Sequence, residues 1–262
     1  MKKTILWAAM TLMTMSYAQA SDKANNDNVI TKEFKLSGFS GIKNNHAVTV
    51  HYTQGSNFSI KAEGSEKQIE RLSLEVKDGM LVVSDKQKDK KSNNEKQILT
   101  LYITSPDMNC LENKGVLNFD ADNLKTGDFT LNSNGVLHLE TSQLNCSEAA
   151  FNLKGVSSLD MQIDAKALDF NSSGVSKGEM KVKADKLDIA SNGVDSMEFD
   201  FNGQEVKVKK SGTGTINLQV DCQKLDASNS GVGKLVISGT ADETSIQNSG
   251  ITKIDVSKLN KF

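Results

Sequence analysis

Asp120, Glu140, Asp160, Glu179 and Glu198 recur at intervals of 20, 20, 19 and 19 residues. Carboxylates in such a series could do three things. Two of them facing across a groove, roughly 5–9 Å apart, could cleave a glycosidic bond as acid and base. A row of oxygen ligands could hold a divalent cation such as Ca2+ between neighbouring members. The third outcome is a solvated wall, on which lysines such as Lys177 and Lys181 answer the mutual repulsion around Glu179. The wall is the expectation here, with the calcium site as a weak metal candidate. The calcium-binding nonapeptide Gly-Gly-x-Gly-x-Asp does not occur. His46, His51 and His138 show no metal-ligand spacing, and there is no Gly-x-Ser-x-Gly, phosphate-loop or dinucleotide pattern. The sequence therefore assigns no catalytic residue and no cofactor-binding residue.

What must position the acids is a ladder of glycines. Each carboxylate stands five residues after one of Gly115, Gly135, Gly155, Gly174 and Gly193, and the ladder continues through Gly212, Gly231 and Gly250. A 19–20-residue unit is too small to fold alone and must stack on copies of itself. Four and six residues before each glycine stand mostly Leu, Phe, Ile and Val, and the residues four and six after are similar. A spacing of two with a common apolar face is strand period. The apolar pattern resumes at once after the glycine, with Val116, Val136, Val156, Val175, Val194, Thr213, Val232 and Ile251. Nine before it come Thr126, Cys146, Ala165, Ala184, Gly203, Cys222 and Ala241, small enough for a tight corner.

These columns predict an all-β fold, a single-stranded parallel β-helix of about eight coils whose equivalent strands pair in parallel. A right-handed solenoid is expected from the usual hand of parallel crossovers. Asn and Ser beside the glycines should form side-chain ladders between coils. No column departs from this stacking pattern in the way a buried reactive cluster would.

From residue 30 to 106 the register is lost while strand signals persist, at Lys32–Leu36, Ala47–Tyr52, Phe58–Ala62, Leu72–Val76, Met80–Ser84 and Ile98–Thr104. An irregular β cap over the open end of the solenoid accounts for them. The polar run from Lys86 to Gln97 reads as a mobile hairpin loop, and the regular repeats occupy 107–262. Residues 1–20 carry Lys2 and Lys3, an apolar stretch and Ala18-Gln19-Ala20, the layout of a cleaved export signal, with 21–29 a disordered start to the mature chain. No later segment is apolar enough to span a bilayer.

Composition narrows the partners. Without Lys2 and Lys3 the 31 basic residues fall to 29 against 33 acidic, interspersed, so nucleic acid is not expected. Arg71 is the sole arginine, and only Tyr52 and Tyr102 remain as mature tyrosines, so arginine clamps and aromatic stacking platforms are scarce. Cys146 and Cys222 occupy the same corner four coils apart, about 19 Å, too far for a disulfide. All three cysteines are expected to be free.

The runs Phe39-Ser40-Gly41-Ile42, Val48-Thr49-Val50 with Gly55, Gly79-Met80-Leu81 and Ile103-Thr104-Ser105-Pro106, leading into Asn/Ser-Gly repeats, resemble the family described as "putative auto-transporter adhesin, head GIN domain". The resemblance spans the mature chain. It implies a β-helical, exported protein of Bacteroides-like bacteria, and no functional residues to carry over. The expected function is a non-enzymatic, adhesin-like or structural module of the cell envelope. Its partner would be an envelope protein or glycan, with self-association through the solenoid end as a further expectation. The alternative is a polysaccharide-active enzyme of pectate-lyase-like fold, although the repeats lack the arginine such lyases use.

Overall fold

The computed structural model describes residues 29–86 and 99–261. The export-signal segment 1–20, the stretch from 21 to 28 and nearly all of the polar run 86–97 lie outside the described residues.

The chain is a β-solenoid. In chain order its elements are β1 (Val29–Phe34), β2 (Gly41–Asn44), β3 (Ala47–Gln54), β4 (Ser59–Ser65), α1 (Glu66–Arg71), β5 (Leu72–Lys77), β6 (Met80–Asp85), β7 (Leu99–Ser105), β8 (Cys110–Asn113) and β9 (Val116–Lys125). There follow β10 (Asp128–Ser133), β11 (Val136–Asn145), β12 (Glu148–Leu153), β13 (Val156–Ser172), β14 (Val175–Ser191), β15 (Val194–Lys210), β16 (Thr213–Asn229), β17 (Lys234–Asn248) and β18 (Asp255–Lys261). Each coil has one arm after the glycine and one before the next. In β13 to β17 the two arms run together through the small-residue corner at Ala165, Ala184, Gly203, Cys222 and Ala241.

Pairing between coils is parallel and in register, column on column. Val156 pairs with Val175, Leu168 with Leu187 and Phe170 with Ile189, and the same offset of 19 holds from β13 to β17. The inward columns form one continuous core, in which the arms meet edge-on, as at Phe170 and Phe199 with ring centroids 5.2 Å apart. Burying each such large apolar side chain contributes about 1.5–3 kcal/mol.

The glycine ladder is a clearance, not a left-handed turn. At most of the ladder glycines the amide just past the glycine donates to the carbonyl of the preceding ladder glycine, as Val194 N to Gly174 O at 2.9 Å; at Gly231 the donor to Gly212 O is instead Gly233 N, at 3.2 Å. That bond puts the next glycine's Cα over the same oxygen. A Cβ on Gly193 would lie 2.0 Å from Gly174 O, and one on Gly155 1.9 Å from Gly135 O. Asn and Ser ladders run alongside, including Asn152 Nδ2 to Asn132 Oδ1 at 3.0 Å and Asn229 Nδ2 to Asn248 Oδ1 at 3.2 Å.

The N-terminal third contains two further coils, stacked out of chain order. Strands β2 and β3 pair in parallel with β8 and β9 on one side and with β6 and β7 on the other. The ladder position of the β2–β3 coil is held by His46, whose carbonyl accepts from Val116 N at 2.9 Å. Beyond β7 the pairing turns antiparallel, with β4 on β7 and β1 on β4, while β5 pairs antiparallel with β6. One short helix interrupts these strands where the sequence showed none. Its start is a capping box, in which Ser65 Oγ accepts from Gln68 N and Gln68 Oε1 from Ser65 N.

Gly193→Val should destabilise the fold by roughly 1–3 kcal/mol, since the added carbons meet backbone that cannot swing away. Gly127→Ala is the control, because a Cβ there meets nothing within 4 Å. Thermal melts followed by circular dichroism should show a lowered midpoint for the first and an unchanged one for the second; equal midpoints would mean that the ladder tolerates a side chain.

Candidate functional site

The acidic column is one row of a longer file of outward residues. From β4 to β18 the register places side by side Lys61, Tyr102, His51, Asp120, Glu140, Asp160, Glu179, Glu198, Asn217, Val236 and Asp255. Strand period sends all of them out of the same arm. The head of the file is partnered: His51 stacks on Tyr102 at 5.1 Å and its Nδ1 lies 2.7 Å from Asp120 Oδ1, while Lys61 sits over the Tyr102 ring. Further along, Lys181 approaches Glu179 at 3.8 Å. The five carboxylates are thus neighbours in a straight row, and among the described residues no three His, Cys, Asp or Glu side chains gather into a group able to hold a metal ion.

The β-branched column immediately after the glycines points outward, against the sequence expectation that the inward pattern resumes there. It stands three residues from the inward column, an odd number, so strand alternation puts it on the outer face. Val116, Val136, Val156, Val175, Val194 and Val232 are between 45% and 57% exposed, and Ile251 is 83% exposed. From Val116 to Thr213 they stand in register, one coil on the next.

The second arm carries a shallow trough. Its outward columns, five and three residues before each glycine, form a depression of about 320 Å3 lined by Asp169, Asn171, Asp188, Ala190, Lys207 and Lys209. It continues into a second one of about 150 Å3 along Lys207, Lys209, Asp226, Ser228, Ser245 and Gln247. The lining is carboxylate, amide, amine and hydroxyl over small side chains. Within it Asp188 takes a 2.8 Å ion pair from Lys186.

One cluster breaks the stacking pattern inside the wall, which corrects the expectation that no column does. Asp195, two residues after its glycine, and Lys210, two before its own, are each 1% exposed. Ser172 Oγ donates to Asp195 Oδ1 at 2.7 Å, Ser191 Oγ donates to Oδ2, and Ser172 Oγ lies 2.9 Å from Ser176 Oγ. Lys210 Nζ donates to the Thr213 carbonyl at 2.7 Å. Its chain lies where neighbouring coils have glycine: a Cβ on Gly233 would sit 2.4 Å from Lys210 Cε. Burial lowers the Lys210 pKa below its ordinary 10.5, and the nearby Asp195 charge partly opposes this. The positions share the parity of the apolar columns, so their burial was readable from spacing alone. With reactive atoms sealed in the wall, the cluster organises the coil and offers a substrate no approach.

The cysteines Cys110, Cys146 and Cys222 are free. Burial pushes the Cys146 and Cys222 thiols up to about 11, so they are poor nucleophiles at neutral pH. Among the described residues no helix is long and apolar enough to cross a membrane.

A family profile described as "Putative auto-transporter adhesin, head GIN domain" matches residues 38–200 and again 181–261. No curated protein matches the chain. Among solved structures, the chain is similar to a "putative adhesin" of Bacteroides fragilis NCTC 9343, with 21% identity, a TM-score of 0.63, and 90% of this chain and 97% of that chain covered. A "putative lipid binding protein" of Parabacteroides distasonis ATCC 8503 is similar at 19% identity and a TM-score of 0.60, covering 90% of this chain and 98% of that one. A second P. distasonis protein, a "putative adhesin", has 15% identity and a TM-score of 0.53, over 90% and 97%. At these identities the likeness is one of fold.

Because Lys210 has a lowered pKa in the folded protein, the unfolded chain binds the proton more readily between that pKa and 10.5. Its penalty is present at neutral pH and lifts as pH rises through the folded value. The melting-temperature difference between wild type and Lys210→Met should therefore move in the wild type's favour from neutral pH toward 10.5; a difference independent of pH would show that the buried amine is not penalised.

Proposed function

Since the chain belongs to the auto-transporter adhesin head GIN domain family, we propose that it is an exported, non-enzymatic, adhesin-like protein that holds a glycan of the cell envelope along its trough. The observation that carries this reading is the trough itself, which runs across successive coils and offers Asp169, Asn171, Lys207, Lys209, Asp226, Ser228 and Gln247 at the coil repeat. A polymer with regularly spaced hydroxyls meets a hydrogen-bonding side chain of the trough at each coil step, carboxylate, amine, amide or hydroxyl in turn. Rigid strands hold these groups in place beforehand, which lowers the ordering cost of binding.

The shallow shape suits retention better than turnover. Hydrolysis needs an acid and a base converging on one bond in a site that excludes water. The two trough carboxylates of adjacent coils, Asp169 and Asp188, instead stand side by side in register on one wall. Export is supported by the family's adhesin character and by the charged, apolar and small-residue layout of residues 1–20.

Immobilised protein on an array of envelope and host glycans should retain a subset of them without releasing reducing ends. Lys207→Ala combined with Lys209→Ala should weaken retention about tenfold, or about 1.4 kcal/mol, with an unchanged melting midpoint because both side chains are outward. Release of reducing ends would assign the chain to carbohydrate-active enzymes, and retention of envelope proteins alone would move the partner to that class. Mass spectrometry of the protein from fractionated cells should give an N-terminus at Ser21, outside the inner membrane.

A further inference from the structure

We propose that the exposed valine ridge is the interface of an antiparallel dimer, with a second copy of this chain as its occupant. The ridge runs along the glycine corner through Val116, Val136, Val156, Val175, Val194, Thr213, Val232 and Ile251, one residue per coil. At ~4.8 Å per coil it is about 34 Å long. An apolar strip of this length marks an interaction surface on a chain that otherwise presents polar columns.

Three features select a second copy. The first is pitch: a file of side chains repeating at the coil spacing is matched along its whole length by a file of the same spacing, and another copy presents one. The second is area. The ridge with the outward rows on either side covers on the order of 700 Å2 per copy, near the size of a standard specific interface.

The third is charge. The rows three and five residues after the glycines share the face with the ridge. In the first three coils they carry Asp120, Glu140 and Asp160 beside Asn118, His138 and Ser158. In the last two they carry Lys234 and Lys253 with Val236 and Asp255, and Lys234 reaches Asp255 at only 3.7 Å. Parallel ridges sharing a twofold axis along their length would leave the acidic coils of both copies at the same end. An antiparallel pair, related by an axis across the ridge, sets the first two acidic coils of each copy, with Asp120 and Glu140, against the lysine-bearing eighth and seventh coils of the other. The third meets the uncharged sixth, with Thr215 and Asn217, and where the fourth and fifth meet at the axis Lys177 stands beside Glu179 and Glu198. The second coil then meets the seventh, so that Glu140 opposes Lys234 of the other copy. Val175 and Val194 fall at the axis and contribute from both copies, as an isologous contact requires.

The test is the oligomeric state of the mature protein by light scattering and sedimentation at micromolar concentration. A dimer is expected. Val175→Lys with Val194→Lys should weaken it at least ~100-fold, because four charges would be buried at its centre. Should that variant fold poorly by circular dichroism, charge reversal answers instead. Glu140→Lys alone and Lys234→Glu alone should each weaken the dimer, and the two together in one chain should restore it. A monomeric wild type would overturn the proposal, as would a dimer indifferent to the ridge and charge variants, which would put self-association elsewhere. Flotation of the monomer with phosphatidylcholine vesicles, lost in the double lysine variant, would assign the ridge to a lipid surface and overturn it equally. None of these outcomes bears on glycan retention, since the trough lies on the other arm.

Discussion

The hydrogen bond from the amide just past a ladder glycine to the carbonyl of the glycine one coil earlier, made at all but one step of the ladder, governs the rest of this structure. At 2.9–3.0 Å for most of the ladder it sets the vertical separation of the coils at the corner and leaves no room for a Cβ beneath the oxygen. Once that corner is pinned, both arms of a coil start in register with their predecessors. Everything then repeats in columns: the apolar interior, the amide ladders, the valine ridge and the acidic row. Function must be found in such columns, because a solenoid gathers residues of distant sequence only by stacking them.

Inside the wall the same constraint explains a trade between positions. Lys210 is long where its column mostly carries Ser or Asn, and its aliphatic chain lies over the space left by Gly233 in the column across the corner. Asp195 belongs to that column, and the serines of adjacent coils satisfy its two oxygens. A buried charge of either sign alone would be costly; here hydrogen bonds and a nearby opposite charge accompany both. The interior therefore tolerates ionisable groups where the repeat supplies small residues opposite them.

Much of this was legible in the sequence because one residue type per coil acts as a ruler. The period, the parallel stacking, the inward columns and the alignment of the five carboxylates all follow from counting from glycine. The ridge was misread because hydrophobicity was weighed above parity: Val175 is apolar but stands an odd number of residues from Gly178 and Met180, and the odd count decides. Asp195 and Lys210 were missed for the opposite reason, since their parity is inward while their chemistry suggests a surface. The trough at Asp169, Asp188 and Lys207 depends on the curvature of an arm, which no column of residue types encodes. In the N-terminal third there is no ruler, so β2 and β3 carried no sign that they stack between β6–β7 and β8–β9.

That inverted stacking has a bearing on how the chain acquires its structure as it emerges from a ribosome or a translocon, amino end first. Strands β2 and β3 are made early, yet both of their neighbours come later, one ending at Ser105 and the other at Lys125. The founding coil must wait about fifty residues of further synthesis for its first neighbour and about seventy for its second. Every later coil finds a finished template and can dock as soon as its own residues appear. Assembly thus has a slow, non-local beginning followed by local additions, and the exposed edges of that waiting coil are where a misfolding chain is most open to capture by a chaperone or by another copy of itself.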